Sequence, residues 1–324
     1  MAHPNYVLGI DIGKKSFDVV LLGTPKPHDA RFNNTPEGFA KLSAWLSRWK
    51  VDRVHACVEA TGGYERALAR FLFDAGHLVS VVNPVCVKGQ AQSELSRVKT
   101  DRADAGLVAR YCLTHRPEPW QPPAPEIEHL RVLLARLADL QAMHTQEANR
   151  LQQSGDSPMA LASIEAVLAV LDEQIEAIER EIDDHIDRHP QLKRDRELLE
   201  SIPGIGPKTS SLLLVLALRR FGSARHAAAF VGLAPRPYES GTSVRLKTRL
   251  SKTGSTVARS ALYWPAIAAM RWSDVFGAFR ERLKAKGKHP MLIIAAMMRK
   301  LLGVAYGVLK SGAPFDPQRA MARQ

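Results

Sequence analysis

Cysteine is scarce in this sequence, and so are long apolar runs. The three cysteines, Cys57, Cys86 and Cys112, are odd in number, far apart and not arranged as C-x-x-C. That pattern argues against a disulfide framework or a cysteine zinc site, and it favours a reducing compartment. No run reaches the roughly 18 apolar residues of a membrane span, and the first residues lack a signal-peptide pattern. We therefore expect a cytoplasmic protein that does not enter a membrane.

Acidic residues are few in the last part of the chain. Over the whole sequence 45 Lys and Arg stand against 33 Asp and Glu, which gives a net charge of +12. Residues 1–125 carry a net +4, residues 126–190 a net −9 and residues 191–324 a net +17. A region this basic is typical of a surface for a polyanion, most simply nucleic acid. The alternative, a solvated basic face, rarely reaches this charge, so we favour nucleic-acid binding.

The start of the chain combines two β-strands with one internal acid. Residues 6–22 read YVLGIDIGKKSFDVVLL, and the apolar residues on either side of Asp11 predict a buried strand. A carboxylate inside a buried strand is costly unless hydrogen bonds or a metal ion compensate it. On this stretch alone, a hydrogen-bonded structural role and a metal ligand explain Asp11 equally well.

Strands then alternate with helices up to about residue 115. Three strands joined by short turns, followed by this alternation, predict a mixed sheet covered by helices. The predicted strands after residue 22 are 28–33, 53–59 and 77–83, and the predicted helices begin at Pro36, near Tyr64 and near Thr100.

Three more carboxylates fall at the ends of these elements. Glu59 ends a strand, while Asp101 and Asp104 begin a helix, three positions apart and so on one helical face. Taken singly, each of these two aspartates is explained by favourable charge at a helix N-terminus. Together with Asp11 and Glu59 they form a set of hard oxygen ligands that suits Mg²⁺ or Mn²⁺. Because such ions assist in-line phosphoryl displacement, we favour a metal site.

The order strand-Asp, strand-Glu, helix-Asp-x-x-Asp resembles the ribonuclease H-like fold of Holliday-junction resolvases. Four segments are similar to the DEDD transposases of insertion-sequence family 110: GIDIGKKS (9–16), VEATGGY (58–64), VVNP (81–84) and KTDRADA (99–105). The resemblance implies that residues 1–125 form a RuvC-like catalytic domain. It also implies an acidic tetrad of metal ligands, which corresponds to Asp11, Glu59, Asp101 and Asp104.

A proline-rich linker and a heptad pattern follow. Residues 116–125 contain five prolines, which excludes a regular helix or a central strand. From Leu161 to Ile182, apolar residues recur at spacings of three and four over three heptads, with an acidic outer face. Residues 126–190 are therefore predicted to form a coiled-coil arm, either a hairpin that packs on itself or a dimerisation coiled coil. The acidic face argues against DNA binding by this arm.

The next motif is SIPGIGPKTS (201–210), between two predicted helices of a mainly helical domain, residues 191–324. Pro207 suits the first position of the second helix, and Gly204 and Gly206 let the turn approach another backbone closely. The motif resembles a helix-hairpin-helix, in which turn amides and a helix N-terminus bind a phosphate without reading sequence. Lys208 would be the nearby cation. A plain helical hairpin is the alternative.

A hydroxyl group beside a dense basic cluster marks the following segment. Residues 235–241, PRPYESG, contain two prolines and a glycine, which predict a turn or loop that carries Tyr238, Glu239 and Ser240. Cations stabilise the charge that develops when a phosphodiester is attacked, so the setting suits a nucleophilic serine. Taken alone, Ser240 is better explained as a turn residue before Gly, and Tyr238 is a rival nucleophile. The basic cluster consists of Arg245, Lys247, Arg249 and Lys252.

Four further segments are similar to the carboxy-terminal domain of the same transposase family: GLAPRPYESG (232–241), LSKTG (250–254), RSALY (259–263) and MMRKL (297–301). In that family the serine after the Tyr-Glu pair is the nucleophile, which corresponds to Ser240, with Ser243 close by. The resemblance implies a transposase that cleaves and rejoins double-stranded donor and target DNA through a covalent phosphoserine with Mg²⁺. It further implies guidance by a bridge RNA, and a dimer or tetramer in which the acidic site of one subunit meets the serine of another.

Two other functions fit the same residues. A metal-dependent junction nuclease would use water as the nucleophile and leave Ser240 as a turn residue. A non-catalytic nucleic-acid-binding protein would keep the acidic residues without using them. DNA cleavage by a Ser240→Ala variant distinguishes the first alternative, and recombination by an Asp11→Asn variant distinguishes the second.

Overall fold

The structure is a computed structural model that describes residues 4–318 apart from 96–99, 154, 156, 241–243 and 252. The side chains of residues 238–240 and 244–248 are likewise outside the description. The chain divides into two compact units, Met1–Pro122 and Pro123–Gln324. The threefold division into residues 1–125, 126–190 and 191–324 stays a prediction.

The first unit, in its described part, is a five-stranded sheet with four helices. Its elements are β1 (Tyr6–Ile12), β2 (Ser16–Leu22), β3 (His28–Asn33), α1 (Pro36–Arg48), β4 (Val54–Glu59), α2 (Arg66–Asp74), β5 (Leu78–Val82), α3 (Pro84–Ser93) and α4 (Asp101–His115). The strand order is β3-β2-β1-β4-β5. Strand β2 is antiparallel to β1 and β3, whereas β4 is parallel to β1 and β5. The predicted mixed sheet with helices is confirmed.

Local sequence signals fix the starts of the helices. Thr35 caps α1 by accepting a hydrogen bond from the Gly38 amide (3.3 Å), and Pro36 occupies the first helical position. Thr100 caps α4 in the same way through the Ala103 amide (3.2 Å). Each cap satisfies an amide that the helix itself leaves unpaired. The cap at Thr100 therefore determines where α4 begins.

The sheet is covered by helices on both faces. One face packs against α1 and α2 and includes Leu8 and Ile10, which are fully buried. The opposite face packs against α4 and includes Val7. Because alternate residues of a strand point to opposite faces, Gly9 and Asp11 share the face of Val7. Asp11 therefore belongs to the face that α4 covers.

The second unit is mainly helical in its described part, as predicted. Its elements are α5 (Pro125–Gln153), α6 (Pro158–Arg188), α7 (Pro190–Glu200), α8 (Pro207–Val215), a short 3-10 helix (Leu218–Arg220), α9 (Ala224–Val231), β6 (Pro235–Ser240), β7 (Val244–Leu250), α10 (Thr256–Ala261), α11 (Tyr263–Trp272), α12 (Asp274–Ala285) and α13 (Pro290–Ser311). Helix α13 lies at the centre of its core, where Met297, Leu301 and Leu302 are fully buried.

Helices α5 and α6, here called the arm, form an antiparallel hairpin. The apolar stripe of α6 packs against α5: Leu171 and Ile182 are buried, and Leu161 and Leu168 are half-buried. The heptad pattern is therefore used at least in part within one chain, as the hairpin alternative predicts. Dimerisation through the arm stays a prediction.

Among the described residues, one helix, α13, is long and apolar enough by length and composition to cross a membrane. In its most apolar window 44% of the residues are buried inside the protein, and Arg299 and Lys300 interrupt its apolar sequence. A core helix passes the same test of length and composition. The core position of α13 explains its apolar character, so the helix is weak support for a membrane span.

Candidate active site

The acid in β1 lies beside acids from the neighbouring strands. Asp11 pairs in register with Asp18 of the antiparallel strand β2. On its other side, Ile10 pairs with Val58 of the parallel strand β4, so Asp11 and Glu59 occupy the next position of each strand. All three carboxylates are half-buried. The strand order therefore gathers acids from three strands in adjacent positions.

Helix α4 reaches this part of the sheet because Gly9 has no side chain. A Cβ atom at Gly9 would lie 2.2 Å from the carbonyl oxygen of Ala105, so α4 rests directly on the backbone of β1. Asp101 and Asp104 occupy the first turn of α4, next to this contact along the chain. The close approach of helix and strand brings both aspartates towards Asp11.

The electrostatics of Asp11 show that these carboxylates lie within range of one another. Burial is the largest cause that raises the pKa of Asp11, to about 6. Like charges also raise the pKa of an acid, because they disfavour its ionised form. The remaining causes are four neighbouring carboxylates: Asp104, Asp101, Asp18 and Glu59. All four predicted acids therefore take part in one electrostatic cluster.

Glu59 differs from Asp11 because a lysine, Lys88, lies near it. Burial raises the pKa of Glu59, the charge of Lys88 lowers it, and that of Asp104 raises it. Lys88 is an exposed residue of α3. The negative charge of Glu59 is thus partly compensated by Lys88. For Asp11, by contrast, burial and every neighbouring charge disfavour the ionised form.

One arginine and one further acid at this site were missed by the sequence analysis. Arg31 of β3 donates hydrogen bonds to Asp101 Oδ2 (3.2 Å) and Ser16 Oγ (2.9 Å), and its Nη1 lies 3.6 Å from Asp18 Oδ2. The register of β2 and β3, which sets Asp18 opposite Arg31, brings them together. Strand register has no direct signal in the residue pattern, so neither residue could be found from it.

The four predicted carboxylates suit a hard divalent cation. Their donor atoms are all oxygens, which Mg²⁺ and Mn²⁺ prefer. The pKa of Asp11 is raised by burial and then by repulsion from the neighbouring carboxylates, and a cation would relieve that repulsion. In the described part of the chain, no three of these acids offer oxygens that all lie within 4.8 Å of one another. The arrangement is therefore open. Mg²⁺ usually keeps several waters beside one or two carboxylates, so an open arrangement fits it.

In the second unit, α7 and α8 are joined by the turn that the motif predicts. Gly204 has a φ of +91°, and a Cβ atom there would lie 2.6 Å from the carbonyl oxygen of Pro265. Close packing on α11 therefore explains this glycine without a ligand. Gly206 instead borders open space, and the exposed Lys208 lies 4.0 Å from Glu179. The open part of the turn is at Gly206 and Lys208.

The turn or loop predicted for Tyr238, Glu239 and Ser240 is wrong. These residues belong to β6, which forms an antiparallel hairpin with β7. Prolines are tolerated at the first residue of a strand and at irregularities of register, where no ladder amide is needed. Pro235 is the first residue of β6, and Pro237 lies at its register shift. Ser240 therefore ends a strand beside the tip of a hairpin.

Two arginines face each other across this hairpin. Arg236 of β6 pairs in register with Arg249 of β7, and both are exposed. Like charges directly opposite in a sheet are destabilising, a cost that a bound anion would offset. Arg249 belongs to the predicted basic cluster, whereas Arg236 was missed because its partner depends on the register. The other predicted groups of this segment lie outside the described part of the structure: the side chains of Ser240, Arg245 and Lys247, and the whole of Lys252.

Comparison with known proteins identifies the family. A family model described as "Transposase" matches residues 8–154, and a second, "Transposase IS116/IS110/IS902 family", matches residues 196–281. A pilin gene-inverting protein of Moraxella lacunata is 34% identical over 314 residues, which cover 95% of this chain and 97% of that protein. This chain belongs to the IS110 family of transposases. It is therefore a DNA recombination enzyme of the transposase class.

Other relatives of this IS110-family transposase differ in how much they cover. A pilin gene-inverting protein of Moraxella bovis matches with the same identity and coverage as that of Moraxella lacunata. An uncharacterized 43.6 kDa protein of insertion element IS110 from Streptomyces coelicolor is 27% identical, over 50% of this chain and 40% of that protein. Among solved structures, Thermus thermophilus RuvC matches 36% of this chain and 99% of its own, with 18% identity and a TM-score of 0.27.

The two matched segments of the transposase contain both predicted sites. The first segment includes the acidic residues Asp11, Glu59, Asp101 and Asp104, and the second includes Ser240. The part between them, residues 155–195, holds the whole of α6.

Proposed function

We propose that this transposase cuts and rejoins DNA through a covalent phosphoserine at Ser240. The Oγ atom of Ser240 attacks the phosphorus of a phosphodiester, and a new phosphorus–oxygen bond forms as the bond to one deoxyribose oxygen breaks. The serine gives up its proton, and the leaving oxygen takes one up. Rejoining reverses these steps with the hydroxyl of another strand end as the nucleophile. The number of phosphodiester bonds is conserved, so no further reactant is needed.

The acidic cluster of the first unit carries this proposal. The raised pKa of Asp11, caused by burial and by the other carboxylates, is what a site for a divalent cation would show before the cation binds. Mg²⁺ or Mn²⁺, once bound, supplies positive charge that stabilises the reacting phosphoryl group and the oxygen that leaves it. The ligands we assign are Asp11, Glu59, Asp101 and Asp104.

The chain itself holds these ligands in position. Asp11 is fixed by the β1 backbone, and the first turn of α4 is fixed by the Thr100 cap and by the contact at Gly9. Arg31 holds the otherwise exposed Asp101 through a 3.2 Å ion pair. Groups that are positioned before the substrate arrives need little reorganisation during the reaction. These contacts therefore support a catalytic role for the cluster.

The second unit is proposed to bind nucleic-acid phosphates. The net charge of +17 over residues 191–324 supports this proposal. The open part of the turn, at Gly206 and Lys208, would hold a phosphate at the start of α8, while Gly204 shapes the turn by packing on α11. The second group of phosphate ligands is the predicted basic cluster together with Arg236: Arg236, Arg245, Lys247, Arg249 and Lys252.

Arg236→Ala and Arg249→Ala should each weaken binding to double-stranded DNA by about fivefold to tenfold at moderate salt. Each should also lower the slope of log affinity against log salt by about one, since one phosphate contact is lost. Fluorescence anisotropy over a range of salt concentrations measures both quantities. Arg280→Ala is the control, because Arg280 already pairs with Glu281 (2.8 Å). Unchanged salt slopes in both hairpin variants would exclude phosphate contact by this arginine pair.

A bridge RNA and an oligomer complete the proposed function. On the family resemblance, one RNA pairs with donor and target DNA, and the protein acts in the cytoplasm as a homodimer or homotetramer. The acidic residues and the serine that act on one phosphodiester would come from different subunits. The basic second unit supports an RNA ligand as well as a DNA ligand, because phosphates are common to both.

Recombination in vitro tests the proposed function. Purified protein, Mg²⁺, a transcript of the non-coding end of its element, and donor and target plasmids should together give a joined product. Omission of the transcript should abolish the product, and changes in its pairing segments should redirect it. An equal yield without RNA would exclude guidance, and cleaved DNA that is never joined would favour the junction nuclease.

DNA inversion is a second candidate for the biological reaction. The two Moraxella relatives, each similar over almost its whole length, are named pilin gene-inverting proteins. Inversion uses the same cleavage and rejoining, but it needs two sites in opposite orientation on one DNA molecule. Sequencing the product junctions distinguishes an inverted segment from an inserted one.

A further inference from the structure

Three potential metal ligands meet where the arm joins the core of the second unit. His129 lies near the start of α5, and Glu181 and His185 lie near the end of α6. Each offers one ligand atom, and these atoms all lie within 4.8 Å of one another. Among the described residues, this is the only group of three or more His, Cys, Asp or Glu side chains that meets that distance. None of its residues belongs to the acidic cluster of the first unit.

The helices present these groups on a rigid part of the arm. Glu181 and His185 are four positions apart, so they share one face of α6. The adjacent residues Leu130 of α5 and Ile186 of α6 are fully buried in the core. A backbone fixed by core packing holds its side chains near one geometry before any ion arrives. The separation of the ligands is thus set by the fold.

The surroundings of His185 resemble those of a metal-bound histidine. Its Nε2 lies 2.9 Å from the carbonyl oxygen of Glu126, and a carbonyl can only accept a hydrogen bond, so Nε2 carries the proton. Nδ1 is then the nitrogen with a free lone pair. Metal-bound histidines usually donate their other ring N–H to a carbonyl or carboxylate in this way. His185 is 5% exposed, and the ring of His189 packs against it at 4.4 Å.

The existing partner of Glu181 does not block an ion. Arg188 pairs with Glu181 at the surface, where the two side chains are 59% and 40% exposed. An exposed ion pair of this kind contributes little to stability, because water screens both charges. A divalent cation with two imidazole ligands as well as the carboxylate would therefore displace the guanidinium at little cost.

We propose that His129, Glu181 and His185 bind one Zn²⁺ ion, with water completing the coordination. Two nitrogen ligands and one carboxylate suit zinc, whereas Mg²⁺ prefers oxygen ligands alone. The ion links α5 to α6 at the base of the arm and so stiffens the joint between the arm and the core. This site is independent of the proposed catalytic chemistry, and its binding is measurable without any activity.

Zinc titration of the full-length protein tests the proposal. In excess Mg²⁺, which occupies the all-oxygen acidic cluster, ZnCl₂ should bind once per chain, with an affinity that survives a weak chelator. Saturation should raise the melting temperature of the second unit by about 5 °C. Co²⁺ in place of Zn²⁺ should give visible absorption bands typical of nitrogen and oxygen ligands. Calorimetry, thermal unfolding and absorption spectra provide the three measurements.

Two variants that leave the core intact test whether His129 and Glu181 bind the zinc ion. His129→Ala removes an exposed ring, and Glu181→Gln keeps the shape of its side chain, so neither should unfold the protein. Each should lower zinc affinity by at least about 100-fold and abolish the thermal shift. His144→Ala is the matched control. His144 pairs with Asp172 across the same two helices (3.2 Å), but among the described residues it belongs to no group of three potential ligands. Wild-type zinc affinity in both ligand variants, or no saturable binding to the wild type, would overturn the site.

Discussion

Asp11→Asn should abolish strand cleavage and, in the absence of metal, make the first unit more stable. Activity should fall by at least about 1,000-fold, because the substitution removes a proposed ligand of the ion that would stabilise the reacting phosphoryl group. Stability rises because Asn carries no charge, whereas the ionised Asp11 is disfavoured by burial and by Asp104, Asp101, Asp18 and Glu59. Because activity falls while stability rises, the loss of activity can be assigned to loss of the metal and not to unfolding.

The pH dependence of this stabilisation follows from the raised pKa. An acid whose folded-state pKa lies above its unfolded value destabilises the protein as pH rises from the lower value to the higher. For Asp11 the window runs from 3.8 to about 6. For a fully buried group this pKa difference would lower the free energy of unfolding by about 3 kcal/mol. Solvent screening of the half-exposed Asp11 side chain reduces the effect to about 1 kcal/mol. Asn and Asp should therefore differ little in stability near pH 4 and differ fully above pH 6.

Urea unfolding in EDTA at pH 4 and at pH 8 measures this difference, and repeating it in excess Mg²⁺ tests the metal. Mg²⁺ should stabilise the wild type and have little effect on Asp11→Asn, so that their order of stability reverses. Asp29→Asn is the control, since it removes a carboxylate of β3 that pairs with Arg102 (2.8 Å). Mg²⁺ stabilisation of equal size in wild type and Asp11→Asn would contradict a metal site at Asp11.

Ser240→Ala should reduce DNA cleavage by at least about 10,000-fold and leave DNA affinity unchanged. The oxygen proposed as the nucleophile is lost, and removing a nucleophile of this kind removes the chemical step itself. Affinity is retained because the hydroxyl carries no charge, and phosphate contacts dominate binding to DNA. Gel assays of cleavage and anisotropy measurements of binding check the two halves of this expectation.

Two hydroxyl-bearing residues close to Ser240 in the sequence are its matched controls. Tyr238→Phe and Ser243→Ala each remove one oxygen from the same short segment, and both should cleave at near wild-type rates. Full-rate cleavage by Ser240→Ala, with loss in one of the controls, would transfer the role of nucleophile to that residue. Full-rate cleavage by all three variants would favour attack by water, as in a junction nuclease.

The fold of the first unit was largely predictable because its signals are local. Thr35 and Thr100 precede helices that they cap, and the apolar residues around Asp11 indicate a buried strand. The β6–β7 hairpin was not predictable in the same way. Pro235 and Pro237 normally argue against a strand, and only the strand start and the register shift make them compatible with one.

The candidate site was predictable where the side chain itself carries the chemistry. Asp11 is exceptional as an acid inside a buried strand, and the resemblance to a family supplied the role of all four acids of the tetrad. Arg31, Asp18 and Arg236 are ordinary charges in ordinary strands, and they matter only because strand register brings them to their partners. His129 and His185 are far apart in sequence and meet only because α5 and α6 pair. Gly204 is required for packing on α11, a use that its motif does not reveal.

The most direct test of the account is to trap the covalent protein–DNA intermediate and locate the attached residue. A DNA substrate with a nick placed so that the cleaved end diffuses away should accumulate the adduct in Mg²⁺, and peptide mass spectrometry identifies the modified side chain. We expect a phosphodiester link to Ser240, absent in Ser240→Ala and in Asp11→Asn. Attachment at Tyr238 or Ser243, or cleavage with no adduct at all, would contradict it.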